Sequence, residues 1–197
     1  MKHKKQIYWI SLALAFSLIA GLAFPASNVN AAKKTKEKND QKVLVVYFSA
    51  TGTTKGAAKK IKKATNGKLY QIKAADPYTD EDLSYDNDDC RANTEQKDGS
   101  IRPKMKGSVK NIQDYDVIFL GYPIWWGKEP MIIRTFLESH HVKGKKIVPF
   151  CTSGGSGISD SRKGIRAAAK GAKVVKGKDL TDASRKSVKS WALGKVK

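Results

Sequence analysis

Val43-Leu44-Val45-Val46-Tyr47-Phe48-Ser49-Ala50-Thr51-Gly52-Thr53-Thr54-Lys55 decides how this chain reads. Its first half is apolar, rich in β-branched and aromatic residues, and reads as a parallel strand buried on both faces. Six small or hydroxylated residues follow, and then a helical pattern. A strand that feeds a helix through such a loop is an anion cradle. Backbone N–H groups at the helix start lack internal partners and carry the positive end of the helix dipole. Ser49, Thr51, Thr53 and Thr54 add hydroxyls, Ala50 is small, and Gly52 lets the backbone approach a ligand. The loop has neither the lysine-bearing Gly-x-x-x-x-Gly-Lys pattern nor Gly-x-Gly-x-x-Gly. It therefore suits a terminal phosphate monoester. An ordinary strand-to-helix loop with a threonine N-cap is the plainer alternative.

Two further loops stand out downstream. Residues 115–121 read as a second buried strand, followed by Tyr122-Pro123-Ile124-Trp125-Trp126-Gly127. Adjacent side chains on an extended segment point to opposite sides. One of the two tryptophans is thus expected to be partly exposed, as a platform for a flat ring. Both packing beneath a neighbouring segment is the alternative. Residues 145–151 form the next strand, and Thr152-Ser153-Gly154-Gly155-Ser156-Gly157 follows as a glycine-rich loop offering N–H donors to a ligand edge.

Between and around these loops the pattern alternates. Helices are expected at 53–64, 130–139 and 159–170, with a last one capped at Thr181-Asp182 and reaching Leu193. An outer strand is expected at 68–73 and a short final strand at 172–178. Residues 74–110 read as a long irregular crossover, a length that often covers a site. Its Asp80-Glu81-Asp82 and Asp86-Asn87-Asp88-Asp89 runs fail the calcium-loop spacing and read as a solvated acidic surface. His140 and His141 sit at a helix end, where cations are favoured, and read as caps.

The amino terminus is different in kind. Three lysines in the first five residues precede an apolar run of about 18 residues, 7–24, broken by Pro25 and followed by Val29-Asn30-Ala31. This is the pattern of a secretory signal peptide over 1–31, with cleavage after Ala31. The run is also long enough to stay as a membrane anchor. Residues 32–41 read as a charged linker, and 42–197 as one domain. The chain is then expected outside the cytoplasm, extracellular or at the cell surface.

With 38 Lys plus Arg against 18 acids, the formal charge of the 197 residues is +20. A charge of this size attracts polyanions. No nucleic-acid-binding signature is visible, so an anionic cell-wall polymer or membrane surface is the expected partner rather than specific nucleic acid. Two cysteines, Cys90 and Cys151, exclude a disulfide scaffold; two free thiols are expected, and a single bridge between them is the alternative.

Alternating strands and helices imply an α/β fold with a parallel sheet covered on both faces. In the doubly wound order 2-1-3-4-5, the three loops follow neighbouring strands and meet at the switch point. Ser49-Ala50-Thr51-Gly52-Thr53-Thr54 resembles the FMN phosphate loop of flavodoxins. Residues 121–127 and 150–157 resemble the flavin-ring loops of bacterial flavodoxin-like proteins. The resemblance covers residue 42 to the end. It implies a flavodoxin-like three-layer sandwich with FMN as cofactor. Residues 49–54 would hold the phosphate, Pro123, Ile124, Trp125, Trp126 and Gly127 would flank the ring, and Thr152, Ser153, Gly154, Gly155 and Gly157 would line its other edge. It further implies electron transfer with a redox partner protein, a quinone or NAD(P)H, as carrier or small reductase. A flavin- or phosphate-ester-binding module without turnover is the alternative.

Overall fold

The computed structural model describes residues 41–197. The expected leader and nearly all of the linker lie outside the described residues. Within the described residues no helix is long and apolar enough to cross a membrane.

The chain runs β1 (Val43–Tyr47), α1 (Thr53–Thr65), β2 (Lys68–Gln71), β3 (Lys73–Ala74), α2 (Arg91–Lys97), β4 (Met105–Lys106), β5 (Val117–Pro123), α3 (Met131–Ser139), β6 (Lys146–Thr152), α4 (Ser161–Ala168), β7 (Lys173–Val174), β8 (Lys178–Asp179) and α5 (Arg185–Lys195). The main sheet is parallel, with order β2-β1-β5-β6-β7 and β8 also paired to β6. In order of appearance along that sheet this is 2-1-3-4-5, the expected topology.

All five residues of β1 are buried because helices cover both faces. Leu44 and Val46 belong to the core that includes Ile132, Ile133 and Phe136 of α3 and Ile165 of α4. Val43, Val45 and Tyr47 belong to the core under Ala57 and Ile61 of α1 and Val188 of α5. Three layers follow from that alternation. Asn66 ends α1 in the left-handed region at φ 54°.

Several expectations shift. The strand expected at 115–121 lies two residues later, so Tyr122 and Pro123 are sheet residues paired with Cys151 and Thr152. The outer strand stops at Gln71. The chain then swings away, and β3 pairs antiparallel with β4. The crossover is therefore not irregular throughout: it holds this small hairpin sheet and α2. Its acidic residues 86–89 are exposed, as expected, and no metal-holding group occurs among the described residues. The final strand is split into β7 and β8. The helix expected at 159–170 is shorter, with Gly171 following at φ 75°. Thr181 does not cap α5. Its side chain bonds Asp179, and Ser184 Oγ accepts the Ser187 N–H at 3.2 Å instead. His140 does close α3, but as a hydrogen-bonding group. Its Nδ1 lies 2.8 Å from Phe136 O while Nε2 accepts the Val109 N–H at 3.1 Å. That pattern selects the tautomer protonated on Nδ1. Both cysteines are free and buried.

Gly121 is the tightest point in the sheet. A Cβ there would lie 2.1 Å from the Phe150 ring. Gly121→Ala must displace a fully buried ring, and overpacking of this kind costs about 1–3 kcal/mol or more. Urea unfolding of the variant is expected to show a lower midpoint with an unchanged m-value. An unchanged midpoint would mean that Phe150 repacks freely.

Candidate functional site

The three loops meet because their strands are neighbours in register. Tyr47 lies beside Gly121, and Gly121 beside Phe150. Beyond the tips, Phe48 N–H donates to Gly121 O and Ile124 N–H to Thr152 O, each at 2.9 Å. Thr54 Oγ1 and Thr152 Oγ1 are 2.8 Å apart and buried, which ties the first loop directly to the third. Phe48, Tyr78 and Trp125 form an edge-to-face cluster with centroids 5.0 to 5.6 Å apart. That cluster joins the first loop, the crossover and the second loop.

In the first loop, Ser49 Oγ accepts the N–H groups of Gly52 and Lys55 at 3.1 and 3.2 Å. Its hydroxyl therefore shapes the loop from within. Gly52 sits at φ 97°, which turns the chain from strand into helix, and open space lies over it. The N-cap residue, Gly52, has no side chain to cap α1, and of the first-turn amides only that of Lys55 is taken, by Ser49. Among the described residues no acceptor takes the amides of Thr51, Thr53 and Thr54. Ala50, Thr51, Gly52 and Thr53 are exposed, and the Thr51 and Thr53 hydroxyls lie 3.4 Å apart. Thr54 contributes its amide and not its hydroxyl, because the latter is bonded to Thr152. What remains is a nest of unclaimed donors without a carboxylate, a fit for a phosphate monoester.

The second loop is a two-residue hairpin. Trp125 and Lys128 exchange both backbone hydrogen bonds at 2.9 Å, and Trp126 and Gly127 lie between them at φ 44° and 80°. Two consecutive positive φ angles are those of a type I′ turn. A tryptophan in this region is unusual and strained. The turn separates the two indoles. Trp125 is buried in the aromatic cluster, and Ile124 is buried beside it. Trp126 is half-exposed and stacks on Tyr85 at 4.5 Å and 27°. The platform is therefore Trp126, with Trp125 as its foundation.

Tyr78 and Tyr85 of the crossover were not legible as site residues in the sequence, where they sit among acids. Tyr78 is held in place from two sides. Its hydroxyl donates to Glu95 Oε2 at 2.6 Å, and the Arg91 guanidinium lies 4.0 Å over its ring. Burial first, and then the Glu95 carboxylate, push the Tyr78 hydroxyl far above its usual range. It stays protonated as a donor. Arg91 in turn donates to Glu95 at 2.9 Å and reaches Asp76 at 3.3 Å.

The third loop is organised by Ser153 and Asp179. Ser153 Oγ accepts the amides of Gly155 and Gly157 at 3.2 and 3.1 Å and donates to Asp179 Oδ2 at 2.9 Å. Thr181 donates to Asp179 Oδ1 through both its amide and its hydroxyl. The amides of Gly155 and Gly157 are thus already used. Gly127 and Gly154 keep free amides among the described residues, whereas the Trp126 amide faces the Tyr85 hydroxyl as a donor. Open space lies over Gly127, Gly154 and Gly155. One cavity of about 230 Å³ flanks the site between Ser49, Ala50, Tyr78, Lys73 and Lys106. No titratable side chain lies in the three loops themselves.

The chain resembles known proteins along most of its length. A family model described as Flavodoxin matches residues 42–194. A protein assigned as a flavoprotein from Bacteroides eggerthii is 45% identical, with TM-score 0.74, covering 77% of this chain and 95% of that one. A second, from Bacteroides uniformis, is 42% identical with TM-score 0.74, covering 77% and 97%. A flavoprotein from Lactobacillus acidophilus, solved in complex with FMN, is 23% identical with TM-score 0.58, covering 71% and 93%. At that identity the likeness is one of fold. No curated protein matches the chain.

Two tests follow from this geometry. Thr152→Val leaves the buried Thr54 hydroxyl without its partner, at a cost of about 1–3 kcal/mol. The double change Thr54→Val/Thr152→Val is expected to cost less than the sum of the singles. Additive losses in chemical unfolding would show that the two hydroxyls are not coupled. Asp179 gives the second test. Burial pushes its pKa up, but hydrogen bonds from Thr181, Ser153 and Cys151 outweigh it and hold the carboxyl below its ordinary value. A depressed native pKa stabilises above the unfolded value of about 4 and loses that stabilisation as pH falls through the native value. Asp179→Asn is therefore expected to flatten the acid limb of stability against pH, and an unaltered limb would count against this role.

Proposed function

The chain belongs to the flavodoxin family, and we propose that it binds FMN at the three converging loops and transfers electrons outside the cytoplasm. The observation that carries this reading is the unclaimed donor set at the tips of β1, β5 and β6. A phosphate nest, an indole platform and a free-amide edge follow the carboxyl ends of neighbouring strands. FMN supplies reversible redox chemistry when bound. The chain's residues supply the rest. The amides of Thr51, Thr53 and Thr54 and the hydroxyls of Thr51 and Thr53 bind the phosphate, aided by the positive end of α1. Trp126 offers a flat face for the ring, and Tyr85 braces its other face. The amides of Gly127 and Gly154 are the donors available to a polar ring edge.

The location rests on the leader pattern in residues 1–31. The electron partners proposed are a redox protein, a quinone or a nicotinamide that meets the cofactor directly, since no separate dinucleotide motif is visible. The basic surface favours the more negatively charged, reduced form of a bound flavin. Salt screens that field beyond about 8–10 Å.

Titration of the purified full chain with FMN is expected to quench flavin fluorescence at micromolar levels, and riboflavin, lacking the phosphate, to bind more weakly. Trp126→Ala removes a stacking face worth about 1–3 kcal/mol and should weaken binding by roughly tenfold or more. Absence of quenching by wild type would end the reading. Bound flavin that does not cycle between dithionite and air would reduce it to a binding module without turnover.

A further inference from the structure

The helices of the domain differ in how far their positive charge is paired, although α4 is basic too, with Arg162, Lys163 and Arg166 and no acid. The ion pairs among the described residues use arginine only, and all involve the crossover or α3: Arg91 with Asp76, Asp82 and Glu95, Arg102 with Glu138, and Arg134 with Glu129. On the other face, α1 carries five lysines and α5 carries Arg185, Lys186, Lys189 and Lys195, with no acid in either helix. These two helices pack side by side. Between them runs a cleft of about 460 Å³ lined by Gly56, Lys59, Lys60, Lys63, Ala64, Arg185 and Lys189. Gly56 has open space over it, which keeps that end of the cleft clear.

From this face we infer that the α1–α5 cleft is a binding groove for a linear phosphate polymer without bases, of the sugar- or glycerol-phosphate kind found in anionic cell-wall polymers. Four observations support it. Lys59 and Lys63 on one wall, and Arg185 and Lys189 on the other, are each four residues apart. Each wall thus presents cations about 6 Å apart along its helix. That arrangement matches a repeating anion better than a single one. Like charges at i,i+4 destabilise a helix, and among the described residues no carboxylate offsets them by an ion pair. Lys60 is the exception in posture: its Nζ donates to Ala183 O at 2.9 Å, which ties α1 to the segment just ahead of α5 and keeps the charge at the cleft. Finally, the walls hold no aromatic side chain. Trp191 of α5 is turned inward onto Phe119 at 5.6 Å. A groove for single-stranded nucleic acid ordinarily stacks bases on aromatics, so the phosphates are read here without bases. A concave groove also accepts a strand better than the plane of a bilayer.

This site is separate from the three loops, and its test does not depend on FMN. The probe is a fluorescently labelled poly(glycerol phosphate), followed by anisotropy with the full chain over a series of salt concentrations. Two variants are compared. One is Lys59→Gln/Lys63→Gln/Arg185→Gln/Lys189→Gln. The other removes the same charge elsewhere: Lys104→Gln/Lys110→Gln/Lys163→Gln/Lys176→Gln, all exposed. The groove variant is expected to lose roughly tenfold or more in affinity, and its log–log salt slope should fall by roughly three. The control variant should stay within about threefold of wild type. Equal losses in the two variants would overturn the groove, because the polymer would then be reading net charge. Single-stranded DNA competing at the same concentration of phosphate, with the same sensitivity to the groove variant, would overturn the occupant. Anionic vesicles that compete in the same way would also overturn it. Lys63→Gln/Lys189→Gln, at two exposed positions, repeats the test with about half the slope change should the fourfold variant not fold.

Discussion

The level alignment of Tyr47, Gly121 and Phe150 across three parallel strands is the constraint on which the rest depends. Parallel strands place their carboxyl ends on one edge of the sheet, and a register set by buried faces cannot slip by one residue without turning every core side chain outward. Gly121 makes the alignment possible by leaving room for the Phe150 ring. Once those residues are level, the chain beyond each has one place to go, and the loops share an edge. The Thr54–Thr152 hydroxyl pair then closes the distance between the first and third loops inside the protein. The donors of the site are held from beneath and left free above.

The crossover does the same work from the side. Arg91, Glu95 and Tyr78 form a compact network of charge-assisted bonds and a cation–π contact. Exposed ion pairs contribute little to stability. Glu95 is buried, however, and α2 holds it four residues from Arg91. The network therefore acts chiefly to position Tyr78 against Phe48 and Trp125. A segment whose composition suggests a solvated loop becomes the wall of a cleft. The same segment carries most of the acids of the described domain, which leaves the opposite helices, α1 and α5, uniformly basic.

Much of this was legible in the residues themselves. Apolar runs at 43–48 and 145–151, a helix pattern after Thr53 and small-residue loops after the strands are enough for the topology, because right-handed crossovers and two covered faces leave few arrangements. The tryptophan pair was legible as holding at least one partly exposed ring, since adjacent side chains diverge. Which ring that is was not legible. That depends on the left-handed conformation of Trp126, and an L-residue with a bulky side chain gives no local sign of adopting it. The roles of Thr54, Gly155 and Gly157 were likewise hidden. Their side chains or amides are consumed by Thr152 and Ser153, partners 98 residues away in one case and next to the loop's own glycines in the other.

By itself, the sequence determined the layers, the strand order and the existence of three small-residue loops at one edge of the sheet, because each follows from local periodicity and turn chemistry. Tertiary structure alone decided which donors remain free, which indole is buried, that Tyr78 lines the cavity beside the first loop and that Tyr85 stacks on Trp126. It also decided that the lysines of α1 face the cations of α5 across a cleft. The physical reason is common to all of these. A hydrogen-bond donor, a ring face or a charge is available only if nothing distant in sequence has claimed it, and that is settled when the chain closes on itself.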